Sequence, residues 1–284
     1  MAGGLRLLAS EPHTLHSRAP AMVQNLVRLL RYRSLIQSLV ARDLKARYRG
    51  SVLGFFWTFL NPLLLLVVYS FVFTTVIPNQ TEGVQPYALF MFCGILPWNW
   101  FASSLSESSG SLIAGGNLIK KVLFPAEILP LVSVLANLVN YLLGLLILLP
   151  WLVYYRRLHW SADLLWFPVT VAVQLVFTAA LALFLAALTV HFRDIRDLLA
   201  NILMLWFFAT PIIYPWFQDN VRRFKLLFDA NPFTHLAVSY QEILFFGPVG
   251  HWKWLLALGA ASVLLFLGGY WVFDRLRDSF AEVV

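Results

Sequence analysis

Six stretches of the sequence, roughly 52–77, 87–107, 129–154, 164–190, 198–217 and 252–273, are apolar over 20 residues or more. That is the length a helix needs to cross a hydrocarbon core about 30 Å thick. No soluble core of this size would absorb the surplus: 60% of the 284 residues are hydrophobic and 12% are charged, against roughly 25% charged in ordinary domains. The expected fold is an all-α integral membrane protein with six transmembrane helices. Pro62 falls inside the first stretch, where it removes one helical hydrogen bond and crowds the carbonyl of Thr58, so a kink is expected there.

An even number of spans puts both termini on one side. Arg28, Arg31, Arg33, Arg42, Lys45, Arg47 and Arg49 precede the first span against a single acid, Asp43, and basic residues gather on the cytoplasmic side. The net charge of +7 is therefore a topology signal that also meets anionic membrane lipids, and nucleic acid is not an expected partner. Residues 1–22 read as a flexible tail without a signal peptide, since Arg6 interrupts its few leucines. Residues 23–284 read as one domain. Within it, 23–49 is an amphipathic interface helix: Leu35, Ile36, Leu39, Val40 and Leu44 form an apolar face, and Arg42, Lys45, Arg47 and Arg49 occupy the other flank.

The long segment 218–251 is too apolar for a free loop. Asn231-Pro232 has the form of a helix start, with an Asn cap followed by Pro at the first helical position. Phe233, Leu236, Ala237, Tyr240, Ile243 and Leu244 then share a face until Gly247-Pro248. Such a helix is too short to cross, so it is expected to be re-entrant or interfacial on the outer side.

Carriers driven by protons or ions keep carboxylates or histidines inside the membrane at considerable cost. Here the spans offer neutral groups such as Asn61, Asn137, Asn140, Gln174 and Asn201, with Glu107 and Glu127 near their edges. Gly110 to Gly115 has the glycine spacing of a phosphate-binding loop but continues as Gly116-Asn117, without the Lys and hydroxyl. The six histidines are scattered, and Cys93 lies in an apolar run. No catalytic residue, metal site or cofactor is expected on this chain, so a motor would belong to a partner.

The stretch Leu39-Val-Ala-Arg-Asp-Leu-Lys-Ala-Arg-Tyr-Arg-Gly-Ser-Val-Leu-Gly54 is followed by Trp57, Asn61-Pro62, Pro97-Trp98, the 117–125 segment, Phe192-Arg193-Asp194 and Asn231-Pro232. In order and spacing it resembles the ABC type-2 permeases that export bacterial surface polysaccharides: O-antigens, capsules and teichoic acids. The resemblance implies a second copy of the chain, two ABC ATPase subunits that bind ATP and Mg, and a lipid-linked polysaccharide cargo, O-antigen foremost. Another type-2 cargo such as a drug or small lipid is the alternative. It also implies the bacterial inner membrane, both termini cytoplasmic, and external helices near the channel exit around Asn231, Pro232, Phe233 and Tyr240. A coupling helix resting on the ATPases would be formed or bordered by Asn117, Leu118, Ile119, Lys120, Lys121, Phe124 and Pro125. Independently of the resemblance, Leu118, Ile119 and Phe124 suit a partner groove with lysines at its rim, although the lysines equally suit a span end held at lipid heads. The link 191–197 suits a second contact with the ATPase, and equally self-neutralisation, since Arg193 and Asp197 lie one turn apart.

Aromatic residues make up 16% of the chain. Phe55, Phe59, Tyr69 and Phe73 fall on one stripe with Pro62 and Leu66, and would stack on sugar rings if that stripe lined a channel. Phe is also an ordinary lipid-facing residue, so both readings stay open. The serines at 103–111 suit close helix packing, and their hydroxyls equally suit facing a polar cargo.

Overall fold

The computed structural model describes residues 32–47, 49–76, 83–120 and 124–283. The expected tail, residues 23–31 of the interface helix, and Lys121 lie outside the described residues. Among those described, every regular element is helical. They are α1 (Arg33–Arg47), α2 (Trp57–Phe71, extended by a π turn Val72–Val76), α3 (Tyr87–Ala114), α4 (Gly116–Ile119), α5 (Ile128–Tyr154), α6 (Trp166–His191), α7 (Ile195–Phe208), α8 (Asp219–Arg222), α9 (Lys225–Ala230), α10 (Pro232–Gln241, then a π turn Glu242–Phe246) and α11 (Trp252–Val283).

Among the described residues, five helices are long and apolar enough to cross a membrane: Trp57–Val76, Tyr87–Ala114, Ile128–Tyr154, Ala162–His191 and Trp252–Arg277. The expected span at 198–217 takes a different form. Its helix, α7, has 14 residues, or about 21 Å at 1.5 Å per residue. Pro211 follows closely and cannot continue a helix. The apolar run goes on through Thr210, Pro211 and Ile212 as buried irregular chain. Hydropathy is blind to that break. The carbonyls it releases are satisfied by the Gln241 side-chain amide, which donates to Pro211 O at 3.0 Å and to Ile212 O at 3.3 Å. Irregular backbone among apolar helices persists only when bonded in this way.

The helix α3 is the central post, apolar on all sides and packed by α5, α6 and α10. Side chains tie it to its neighbours: Trp100 Nε1 donates to Val134 O at 3.1 Å, Ser108 Oγ to Pro130 O at 3.0 Å, and Gln174 Nε2 to Pro97 O at 2.8 Å. Of the serine run, Ser104, Ser108 and Ser109 are buried in this packing, while Ser103, Ser106 and Ser111 line cavities. The helix α11 runs along α6, and at Gly269 an added Cβ would lie 2.7 Å from Ala180 O; small residues permit such approaches. The helix α2 is the exception. Only 6% of its apolar stretch is buried, against 83% for α3, and Leu64, Val67, Val68 and Phe71 stand exposed.

Candidate functional site at the α1 end of the bundle

The apolar face expected of the interface helix exists, but the chain's own bundle takes it up. Leu39 is buried against Ile128 and Val132 of α5, with Leu35, Ile36, Val40 and Phe124 packed alongside. Arg42, Lys45 and Arg49 are exposed on the other flank. Arg47 instead turns inward, because α1 passes beside the ends of α3 and α5, and it joins three helices. Its Nε and Nη2 donate to Asp43 Oδ2 at 3.0 and 2.8 Å, Nη2 to Glu107 Oε2 at 2.6 Å, and Nη1 to Asn137 Oδ1 at 2.9 Å. Asn137 Nδ2 donates to the same Glu107 oxygen at 2.7 Å, and Asn140 Nδ2 approaches Asn137 Oδ1 at 3.4 Å. Burial works against the Arg47 charge. Glu107 and Asp43 more than offset it, so the guanidinium pKa lies above the ordinary arginine value.

This cluster divides two cavities. One, about 630 Å³, opens between α1, α3 and α4 and is lined by Arg42, Asp43, Arg47, Glu107, Asn117 and Arg196, among others. The other, about 250 Å³, runs up between α2, α3 and α5 past Thr58, Asn61, Asn99, Ser103, Asn137 and Asn140. Polar groups are costly at such depth, and here Thr58 Oγ1 and Asn140 Oδ1 are buried without a hydrogen-bond partner. The arrangement offers hydroxyl-bearing molecules a polar recess, with the charge of Arg47 taken up by Asp43 and Glu107. Nothing in it resembles a nucleophile with its base.

The residues expected at the coupling helix divide into two groups. Asn117 and Lys120 are exposed. Leu118, Ile119 and Phe124 are half-buried against Leu112, Leu129, Val190, Tyr270 and Phe273. These apolar anchors therefore fasten α4 to α3, α5, α6 and α11, while the polar residues face outward. Pro125 accepts from Ile128 N at 3.1 Å as α5 begins. Glu127, buried, lies 3.6 Å from Arg277 near the end of α11. Arg193 and Asp197 form no ion pair among the described residues, and Arg196 lines the larger cavity.

The aromatic stripe of α2 faces the bundle. Leu66 is buried, Tyr69 and Phe73 pack on the main core, Phe73 meets the Tyr87 ring at 5.2 Å, and Phe59 is half-buried. The side chain of Phe55 lies outside the described residues. The free face of α2 instead carries Phe71, and Phe56 stands exposed just before the helix.

At the opposite end of the bundle, Asn231 caps α10 as its sequence suggests, accepting from Phe233 N at 3.0 Å with Pro232 next. It does more than cap. Its Oδ1 also accepts from Trp206 Nε1 at 2.7 Å, and its Nδ2 donates to Ala209 O at 3.1 Å and Thr210 Oγ1 at 2.9 Å. The start of α10 is thereby tied to the broken end of α7. Phe233 and Tyr240 are fully buried. Gly247, at φ +97°, closes the π turn, its N–H donating to Glu242 O at 2.7 Å. Sequence reasoning treated Glu107 and Asn137 only as polar residues near the spans, and missed that Arg47 draws them together across 60 and 90 positions.

Three curated relatives resemble the chain along nearly its whole length. One, named an O-antigen export system permease protein RfbA, from Myxococcus xanthus, is 42% identical over 266 residues, covering 93% of this chain and all of that protein. Two proteins of the same name from Klebsiella pneumoniae are 32% and 30% identical over 252 residues, each covering 88% of this chain and 95% of the relative. The family model for the ABC-2 type transporter matches residues 34–245, from the interface helix to the π turn after α10. The chain belongs to the ABC-2 type transporter family.

Proposed function

We propose that this chain is the permease subunit of an ATP-driven exporter that moves a lipid-linked O-antigen polysaccharide across the bacterial inner membrane. The observation that carries the reading is 42% identity, over 93% of the chain, to a protein named for O-antigen export. The chain crosses the bilayer six times, α7 and the Ala209–Phe217 segment together making the fifth crossing. Both termini are cytoplasmic, and α8 to α10 form the re-entrant region on the outer side.

Two copies pair, with the bare face of α2 as the natural place for contact or for the channel, and two ATPase subunits supply ATP and Mg chemistry. Among the described residues, Asn117 on α4 and Lys120 just after it, with Arg42 and Lys45 on α1 and Arg49 beyond its end, are exposed where an ATPase can meet them. The packing of Leu118 and Phe124 gives α4 a rigid seat, so a push on it reaches α3, α6 and α11 together. Arg47 does the same for α1, passing its displacement to α3 and α5. The polar recess between α2, α3 and α5 suits hydroxyl-rich cargo on its way in.

The test is reconstitution of the permease with its ATPase in vesicles loaded with lipid-linked O-antigen. ATP-dependent appearance of the polymer on the far side is expected. Transport of other substrates with the polymer left behind would refute the cargo assignment, and full activity without any ATPase would refute the class.

A further inference from the structure

The Trp252 end of α11 holds a pocket of about 280 Å³, distinct from the polar recess at the Arg47 end. Trp216, Trp254, His251, Thr234, Arg222 and Lys225 contribute to its lining. Its walls are set in place by contacts within and behind the lining. Trp254 lies face to face with His235, ring centroids 4.8 Å apart and planes within 2°, and His235 Nε2 is 3.0 Å from Asp229 O. His251 is clasped by the buried Glu242: Oε2 accepts from the backbone N–H of Gly250 and of His251 at 2.9 Å each, and Oε1 lies 3.2 Å from His251 Nδ1. Trp216 meets His251 at 5.1 Å, edge to face.

Two features of this pocket have no internal purpose. Thr234 Oγ1 is buried without a hydrogen-bond partner, which folded proteins generally avoid. Arg222 and Lys225 are exposed and take part in none of the ion pairs among the described residues; the one carboxylate in the lining is Asp229.

We infer that this pocket binds one anionic sugar residue, a uronate or a phosphorylated pyranose. Indole rings present flat apolar surface for the C–H face of a sugar ring, Arg222 and Lys225 supply charge-assisted bonds to its anion, and Thr234 meets a ring hydroxyl. The volume is at the small end of the roughly 300–1,000 Å³ of small-molecule sites, which suits a single ring. A lipid phosphate would use the two cations but neither the indoles nor the buried hydroxyl. The assignment rests on the transport reading, which puts the pocket on the outer side where polymer emerges.

The test uses the permease–ATPase complex in phosphatidylcholine nanodiscs, with saturation-transfer NMR of methyl glucuronide, methyl glucoside and glycerol phosphate. The uronate is expected to bind about tenfold more tightly than the neutral glucoside. The double variant Arg222→Gln/Lys225→Gln, with an unchanged melting temperature, is expected to erase that preference. Equal binding of the two sugars, or a preference that survives in the double variant, overturns the inference. Glycerol phosphate binding as tightly as the uronate would assign the pocket to lipid headgroups and also overturn it. Vesicle transport is measured separately: export without sugar binding sinks this inference alone, and sugar binding without export sinks the transport reading alone.

Discussion

Replacing Arg47 with Ala removes the group that joins α1 to α3 and α5. Four hydrogen bonds disappear, and the Glu107 carboxylate keeps one partner, Asn137 Nδ2, but loses its cation. Leaving one member of a fully buried pair uncompensated costs about 3–5 kcal/mol. Here the Arg47 and Glu107 side chains are 23% and 38% exposed, so solvent screens part of that, and a loss of about 2 kcal/mol is the expected size. Substituting Glu107→Gln as well removes the stranded charge, so the double variant should recover roughly half of the loss. Denaturation of the four proteins in mild detergent, followed by tryptophan fluorescence, closes the cycle. The same variants, assembled with the ATPase, should hydrolyse ATP while transporting poorly, because α1 no longer pulls on the bundle. Strictly additive single and double effects, or Arg47→Ala with full transport, would refute the reasoning.

Asn231→Ala strips four hydrogen bonds from the junction of α7 and α10 and should cost roughly 2–3 kcal/mol, read as a lower melting temperature. Gly269→Val places a branched side chain where Ala180 O already lies 2.7 Å from a Cβ; forcing α11 off α6 should cost about 1–3 kcal/mol and reduce recovery of folded protein. Lys120→Glu, at the exposed residue just after α4, should leave the unfolding free energy within about 0.5 kcal/mol of wild type and weaken co-purification of the ATPase. Phe124→Asp should lower both, because that ring is packed into the bundle.

What could be read from the sequence was local. The Asn231-Pro232 start and the Gly247 stop are cap chemistry, determined by residues within one turn, and both appear where expected. Long apolar runs identify spanning helices because length and composition suffice. The helix at 198–217 was drawn too long because a hydropathy run passes through Pro211 unaltered, while the backbone does not. The stripe of Phe59, Tyr69 and Phe73 was recognisable as one face, yet periodicity cannot say what that face meets; it meets the core. Arg47 was grouped with its basic neighbours on the flank opposite the apolar face, turned toward lipid heads or a partner. Its actual partners are 60 and 90 residues away, beyond the reach of any local pattern.

The way Gln241 bonds Pro211 and Ile212 bears on where this molecule can yield. Any sliding of α10 past the end of α7 would strip two carbonyls of their donor in a setting with no water to replace it, so that joint resists shear. The tie from Asn231 to Trp206 and Thr210 adds to the resistance. The helix α2 is held chiefly by one apolar face, Leu66, Tyr69 and Phe73, and its long apolar stretch is 6% buried. Compliance is therefore concentrated on one side of the protein. A bulky polymer would find the least resistance by displacing α2, with the remainder of the bundle acting as the wall against which it moves.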